Sequence, residues 1–119
     1  MRINTAQIGR GGSGLILDTT VKSGAGLGKI LAPTWDIVWG VKKARISEQE
    51  YETRYLEILR ERYKQNKAAF LAILAAEEVT LACYCHTGAF SHRHIAVNVL
   101  EKIAAHHGIP FECGGELSK

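Results

Sequence analysis

Nowhere in this chain do apolar residues run for the roughly 20 positions that a membrane-spanning helix needs. Met1-Arg2 leads straight into alternating sequence, without the apolar core of a secretory signal. The expectation is a cytosolic protein with no membrane partner. Cysteine is scarce: Cys83, Cys85 and Cys113 are all there is. Residues two apart in a strand are poorly placed to bridge one another, so no disulfide framework is expected and a reducing compartment fits. Charge of one sign is scarce too. The net charge of +3 suits an anionic ligand but is below the excess of a dedicated nucleic-acid binder. The glycine runs contain no Walker lysine, and although Gly9 to Gly14 has GxGxxG spacing, a strand pattern follows it rather than the helix that a dinucleotide-binding fingerprint opens.

What remains is an ordinary globular composition, 46% apolar and 23% charged over 119 residues. That is enough for one domain with a real core and too little for two, so residues 1–119 are read as a single domain. Arg2 to Ile8 alternates as a first strand. Gly9 to Gly14 follows, read as a flexible hairpin connection to a second strand at Leu15 to Val21. Lys22 to Lys29 is a second glycine-rich stretch, in which Lys22 and Ser23 are candidates to wrap a phosphate.

Thr34 opens a helix through about Lys43 in which Trp35, Val38 and Trp39 share one side, a spacing read as core. Ser47 and Glu50 form a capping box for a helix to about Gln65, with Tyr51, Tyr55, Ile58, Leu59 and Tyr63 as its apolar stripe. Arg54 lies beside that stripe as a candidate ligand contact. Asn66 leads into a short helix over Lys67 to Ala76. Glu78 to Cys85 reads as a buried strand, and His92 to His107 as a helix closed by Gly108 and Pro110. Phe111 to Cys113 is a candidate last edge strand before a polar tail. Strands alternating with helices give an α/β fold: a small three-layer Rossmann-like domain with a short, mostly parallel sheet.

The chemistry concentrates in Val79 to His94, VTLACYCHTGAFSHRH. A strand, a tight loop and a helix start place Cys85, His86, Thr87, Gly88, Ser91, His92 and Arg93 at the strand's carboxyl end, where open α/β sheets bind ligands. Loop amides and a helix start attract an anion, and Arg93 can grip phosphate or carboxylate. His92 and Arg93 both occupy a first helical turn, where the dipole disfavours cations unless an anion is near. The same field would favour a Cys85 thiolate, with His92 as its partner in catalysis. The loop is similar in this respect to the active-site loops of rhodaneses and cysteine-dependent phosphatases, with a longer spacing between Cys85 and Arg93 than those phosphatases use. A weaker alternative is zinc at Cys83, Cys85 and the nearby histidines, whose CxCH and HxH spacings match no CxxC knuckle. Otherwise no cofactor is expected.

The chain resembles the small bacterial and phage proteins of domain-of-unknown-function family 488. The resemblance rests on LDTTVKSG at Leu17 to Gly24, APTWDIVWGVKK at Ala32 to Lys43, the pairs Glu50-Tyr51 and Arg54-Tyr55, and VTLACYCHTGAFSHRH. Members usually carry Cys-His-Arg where this chain has Ser91-His92-Arg93. The resemblance implies an α/β fold and a central part for this loop, and it implies no activity. Two functions stand as expectations. One is binding of a phosphate-bearing ligand, a nucleotide or nucleic-acid end, by a possible hydrolase or transferase. The other is a non-enzymatic phage or bacterial interaction protein that sequesters a host protein or signalling nucleotide.

Overall fold

A computed structural model of the chain describes residues 1–9, 12–22, 24, 26–83 and 92–117. Four strands, β1 (Arg2–Gln7), β2 (Leu15–Asp18), β3 (Glu78–Cys83) and β4 (Glu112–Leu117), form one sheet in the order β2-β3-β1-β4. Every pairing is parallel. The helices are α1 (Gly26–Lys29), α2 (Trp35–Lys42), α3 (Glu48–Gln65), α4 (Lys67–Leu74) and α5 (His92–His106). This is a small α/β domain. Among the described residues no helix is long and apolar enough to cross a membrane.

Strand alternation decides which face is covered. Ile3, Leu17, Val79 and Leu81 point to one face and share a single core with Ile37, Tyr55, Leu59, Phe70, Ile73 and Leu100. The main helices α2 to α5 therefore supply one layer on one side. The opposite face carries Asn4 and Thr80, and among the described residues what crosses it is chain rather than helix: Ser13 N–H donates to Thr80 Oγ1 at 2.9 Å, and that hydroxyl donates back to Ser13 O at 2.7 Å.

That crossing corrects the hairpin expected at Gly9 to Gly14. β3 lies between β1 and β2, and parallel strands cannot be joined by a tight turn, so the chain must return to the start of β2 before pairing. Gly14 is what permits the return. It adopts φ +70°, and a Cβ there would stand 2.3 Å from Glu78 O. In the second glycine-rich stretch, α1 stands where a loop was expected. A Cβ on Gly28 would lie 2.3 Å from Asp18 O, so this turn of helix sits on the end of β2 by using hydrogen as a side chain.

Helix ends follow the sequence closely. Ser47 Oγ accepts from Glu50 N at 3.0 Å, and Asn66 Oδ1 accepts from Ala69 N at 3.3 Å. Gly108, at φ +68°, closes α5 while Ile109 N–H reaches Ala104 O at 2.9 Å, a Schellman arrangement. Thr34 holds the N-cap position of α2, but its hydroxyl goes to the Asp36 carboxylate and caps no backbone amide.

Two further expectations are corrected. Trp35 and Trp39 are 46% and 49% exposed, because α2 buries Ile37 in the core and Gly40 against Ile46 and turns the indoles outward. The residues after Cys113 are strand rather than polar tail: a register shift at Ile3/Asn4 lets Gly115 and Glu116 pair with Asn4 and Thr5.

Candidate site at the carboxyl edge of the sheet

Parallel strands end together, and here their ends bring polar residues under the start of α5. β2 ends at Asp18, whose carboxylate accepts from Thr20 N at 2.9 Å and Thr20 Oγ1 at 2.7 Å, turning the chain sharply. Thr19 is buried between them. Its N–H and its hydroxyl both donate to Ala82 O on β3, at 2.9 and 3.0 Å, extending the pairing past the last residue of β2.

His92 packs against this extension. Its Nε2 lies 2.9 Å from Thr19 O and 2.9 Å from Thr19 Oγ1. The Thr19 hydroxyl proton is already given to Ala82, so both oxygens act as acceptors and Nε2 carries the hydrogen. Burial pulls the His92 pKa below its ordinary value, leaving a neutral ring with its lone pair on Nδ1. The imidazole and the Tyr55 ring meet edge to face, 5.6 Å between centroids. Tyr55 is fully buried, its hydroxyl donates to Leu31 O, and burial raises its pKa well above the ordinary phenol value.

Arg93 is the largest fully buried side chain. Its Nη1 donates to Cys83 Sγ at 2.7 Å, while Nε and Nη2 donate to Glu116 Oε1 and Oε2 at 3.2 and 2.7 Å. Thr5 Oγ1 also donates to Glu116 Oε1, at 2.5 Å. Burial works to raise the Glu116 pKa, but the hydrogen bonds from Arg93 and Thr5 outweigh it and hold the carboxylate below its usual range. Desolvation likewise opposes the charge on Arg93 and is overcome by Glu116 and Cys83, which raise its pKa. The anion that a cation in a first helical turn requires is thus supplied from within the chain. His92, being neutral, requires none.

Of the residues singled out from sequence, His92 and Arg93 are brought together, with Cys83 between sheet and guanidinium. Lys22 is exposed in the turn that follows β2, at the same edge. Arg54 is not part of this network. It pairs with Glu50 at 2.5 Å and lines a groove between α2 and α3 with Asp36, Glu57 and Arg62. Ser23, Cys85, His86, Thr87, Gly88 and Ser91 lie outside the described residues. Among the described residues no three His, Cys, Asp or Glu side chains are grouped as metal ligands.

Thr5, Thr19 and Glu116 were not foreseen. Thr19 stood in the LDTTVKSG motif without a role, and Glu116 gave only the signal of an acid flanked by glycine. Its partnership with Arg93 depends on the register of β4 against β1, which no local pattern encodes.

A family model described as the active DUF488-N3 subclade (DUF488-N3a) matches residues 26–104, from α1 through nearly all of α5. The matched span contains Cys83, His92 and Arg93, whereas Thr5, Thr19 and Glu116 lie outside it. No curated protein and no solved structure matches the chain.

Proposed function

The chain belongs to the DUF488 family, and from that premise we propose that it binds a phosphate-bearing ligand, a nucleotide or nucleic-acid end, at the carboxyl edge of its sheet. The observation that carries this reading is the burial of His92 and Arg93 where the parallel strands end, His92 locked by hydrogen bonds to Thr19 just past β2 and Arg93 by hydrogen bonds to β3 and β4. Open α/β sheets bind ligands at that edge, and locked side chains there present a fixed surface. Lys22 supplies exposed positive charge beside it, and Ser23, His86, Thr87, Gly88 and Ser91 complete the ligand-binding set on sequence grounds. Arg93 acts here as a positioning residue, since its guanidinium is engaged by Glu116 and Cys83. In the catalytic form of this reading Cys85 is the nucleophile of a hydrolase or transferase and His92 accepts a proton on Nδ1; the word "active" in the family description is in keeping with it.

Isothermal titration against a nucleotide panel tests the binding. A ligand should bind the wild-type protein and lose at least tenfold in affinity on Lys22→Ala, which is exposed and leaves the fold intact. His92→Gln should weaken binding as well. Absence of any ligand, or unchanged affinity in both variants, sinks the proposal.

The engagement of Arg93 favours a second reading, in which the edge binds without chemistry and the protein sequesters a host protein or signalling nucleotide. Thiol alkylation against pH separates the two. A Cys85 that titrates near the unperturbed value of about 8.5 supports sequestration, and one well below it supports catalysis.

A further inference from the structure

We infer that the outer face of α2 is a binding platform for single-stranded nucleic acid. This surface is separate from the sheet edge, and the inference stands whether or not that edge binds a ligand.

Trp35 and Trp39, one helical turn apart, are the chain's two tryptophans, and both are about half exposed. Their rings stack with centroids 5.9 Å apart and planes 19° from parallel. Lys42 and Lys43 continue the same side of the helix and place their ammonium groups 5.5 and 5.6 Å from the Trp39 ring centroid. Leaving two indoles in water is unfavourable by the area they expose, and α2 already has apolar residues enough for its buried side. The side-chain pattern is therefore two flat π surfaces with two positive charges at one end.

That combination selects among occupants. A duplex hides the faces of its bases, and an acidic peptide has charge but no flat faces to match the indoles. A second copy of this chain would bring four lysines together on one small interface. Single-stranded nucleic acid offers both unstacked bases and a phosphate at each step, and aromatic stacking with cationic backbone contacts is how such strands are held without sequence preference. Asp36, the acid on α2, stays ionised because the Thr34 hydroxyl lowers its pKa, and the positive charge of Arg54 acts on it in turn.

Because both tryptophans are in the platform, fluorescence excited at wavelengths that the four tyrosines do not absorb reports on it alone. Titration with oligothymidylate at low salt should give saturable quenching. In a parallel anisotropy titration with the labelled oligonucleotide, Trp39→Ala should weaken binding about tenfold, with Trp39→Phe keeping most of the affinity. The double variant Lys42→Gln/Lys43→Gln should flatten the slope of log affinity against log salt by about 1.4, the loss of two phosphate contacts to a single strand. Mononucleotide binding at the sheet edge should be the same in all three variants. The inference is overturned by an absence of quenching, by unchanged affinity in Trp39→Ala, by equal quenching with polyglutamate, or by a doubling of molecular mass that Trp35→Ala abolishes.

Discussion

Arg93 Nη2 stands 2.7 Å from Glu116 Oε2, an ion pair whose arginine is wholly buried and whose glutamate is only 17% exposed. It joins the first turn of α5 to the edge strand β4, and Thr5 on β1 holds the same carboxylate. Strand, helix and edge therefore meet on one carboxyl group.

Removing one partner of such a pair is worse than never having made it, because the other charge stays buried. Glu116→Ala should destabilise the protein by about 3 kcal/mol, the lower part of the range for buried pairs, since Glu116 keeps some contact with water. Glu116→Gln should cost less, as its oxygen still accepts from Arg93. Urea denaturation measures both, and a loss under about 0.5 kcal/mol in the alanine variant would show the pair to be ornamental.

His92 sets a pH dependence with a definite sign. Its folded pKa is below the ordinary 6.5, so as pH falls past 6.5 the unfolded chain takes up a proton that the folded chain refuses. Stability is therefore full above that value and declines below it, by at most about 1.4 kcal/mol per pH unit. Thermal melting between pH 7.5 and 5.5 should show this decline, and His92→Gln should flatten it. Below about 4.5 a second loss follows from Glu116, whose depressed pKa gives the same sign and whose removal leaves the first decline in place.

Gly14 and Gly108 share a left-handed backbone but differ in surroundings. A Cβ on Gly108 meets nothing within 4 Å, whereas one on Gly14 meets Glu78 O at 2.3 Å. Gly108→Ala should cost about 1 kcal/mol from backbone strain alone. Gly14→Ala should cost at least twice that, because β3 must also move. Similar losses in the two variants would mean that the crossing segment yields easily.

Tyr55→Phe removes one hydroxyl and orphans the Leu31 carbonyl, which should cost about 1 to 3 kcal/mol. Arg62 steadies the same segment by donating to the carbonyls of Ile30 and Ala32, at 2.9 and 2.5 Å. Hydrogen exchange should accordingly show faster opening around residues 29–32 in Tyr55→Phe and in Arg62→Met, with helix α4 unaffected.

The parts of the fold that were legible in sequence are those decided within a few residues. Ser47 with Glu50, Asn66, and Gly108 followed by Pro110 each announce a helix end by local hydrogen bonding. The strand starting at Glu78 and the helix starting at His92 were legible for the same reason. Long-range relations were not. Alternation at Arg2 to Ile8 marks a strand but cannot say that β3 separates it from Leu15. Trp35 and Trp39 obey helical periodicity equally well pointing inward or outward, and the choice fell to Ile37 and Gly40. Arg93 looked like a cation awaiting an anion because Glu116 is brought to it only by strand pairing.

The order of the strands also has a consequence for how the molecule comes to exist. Leu15 pairs with Val79, Arg2 with Glu78 and, across 110 positions, Arg2 with Glu112. Even β2 and β3, the one pair adjacent both in the chain and in the sheet, are separated by helices α1 to α4, so each pairing closes a long loop at an entropic cost met before any contact rewards it. In synthesis β1 is made before β2 and all of α1 to α4, and only then does the nearer of its two neighbours, β3, exist. The capped helices between depend on local contacts, whereas the sheet is complete only once β4 pairs with β1 and Glu116 meets Arg93.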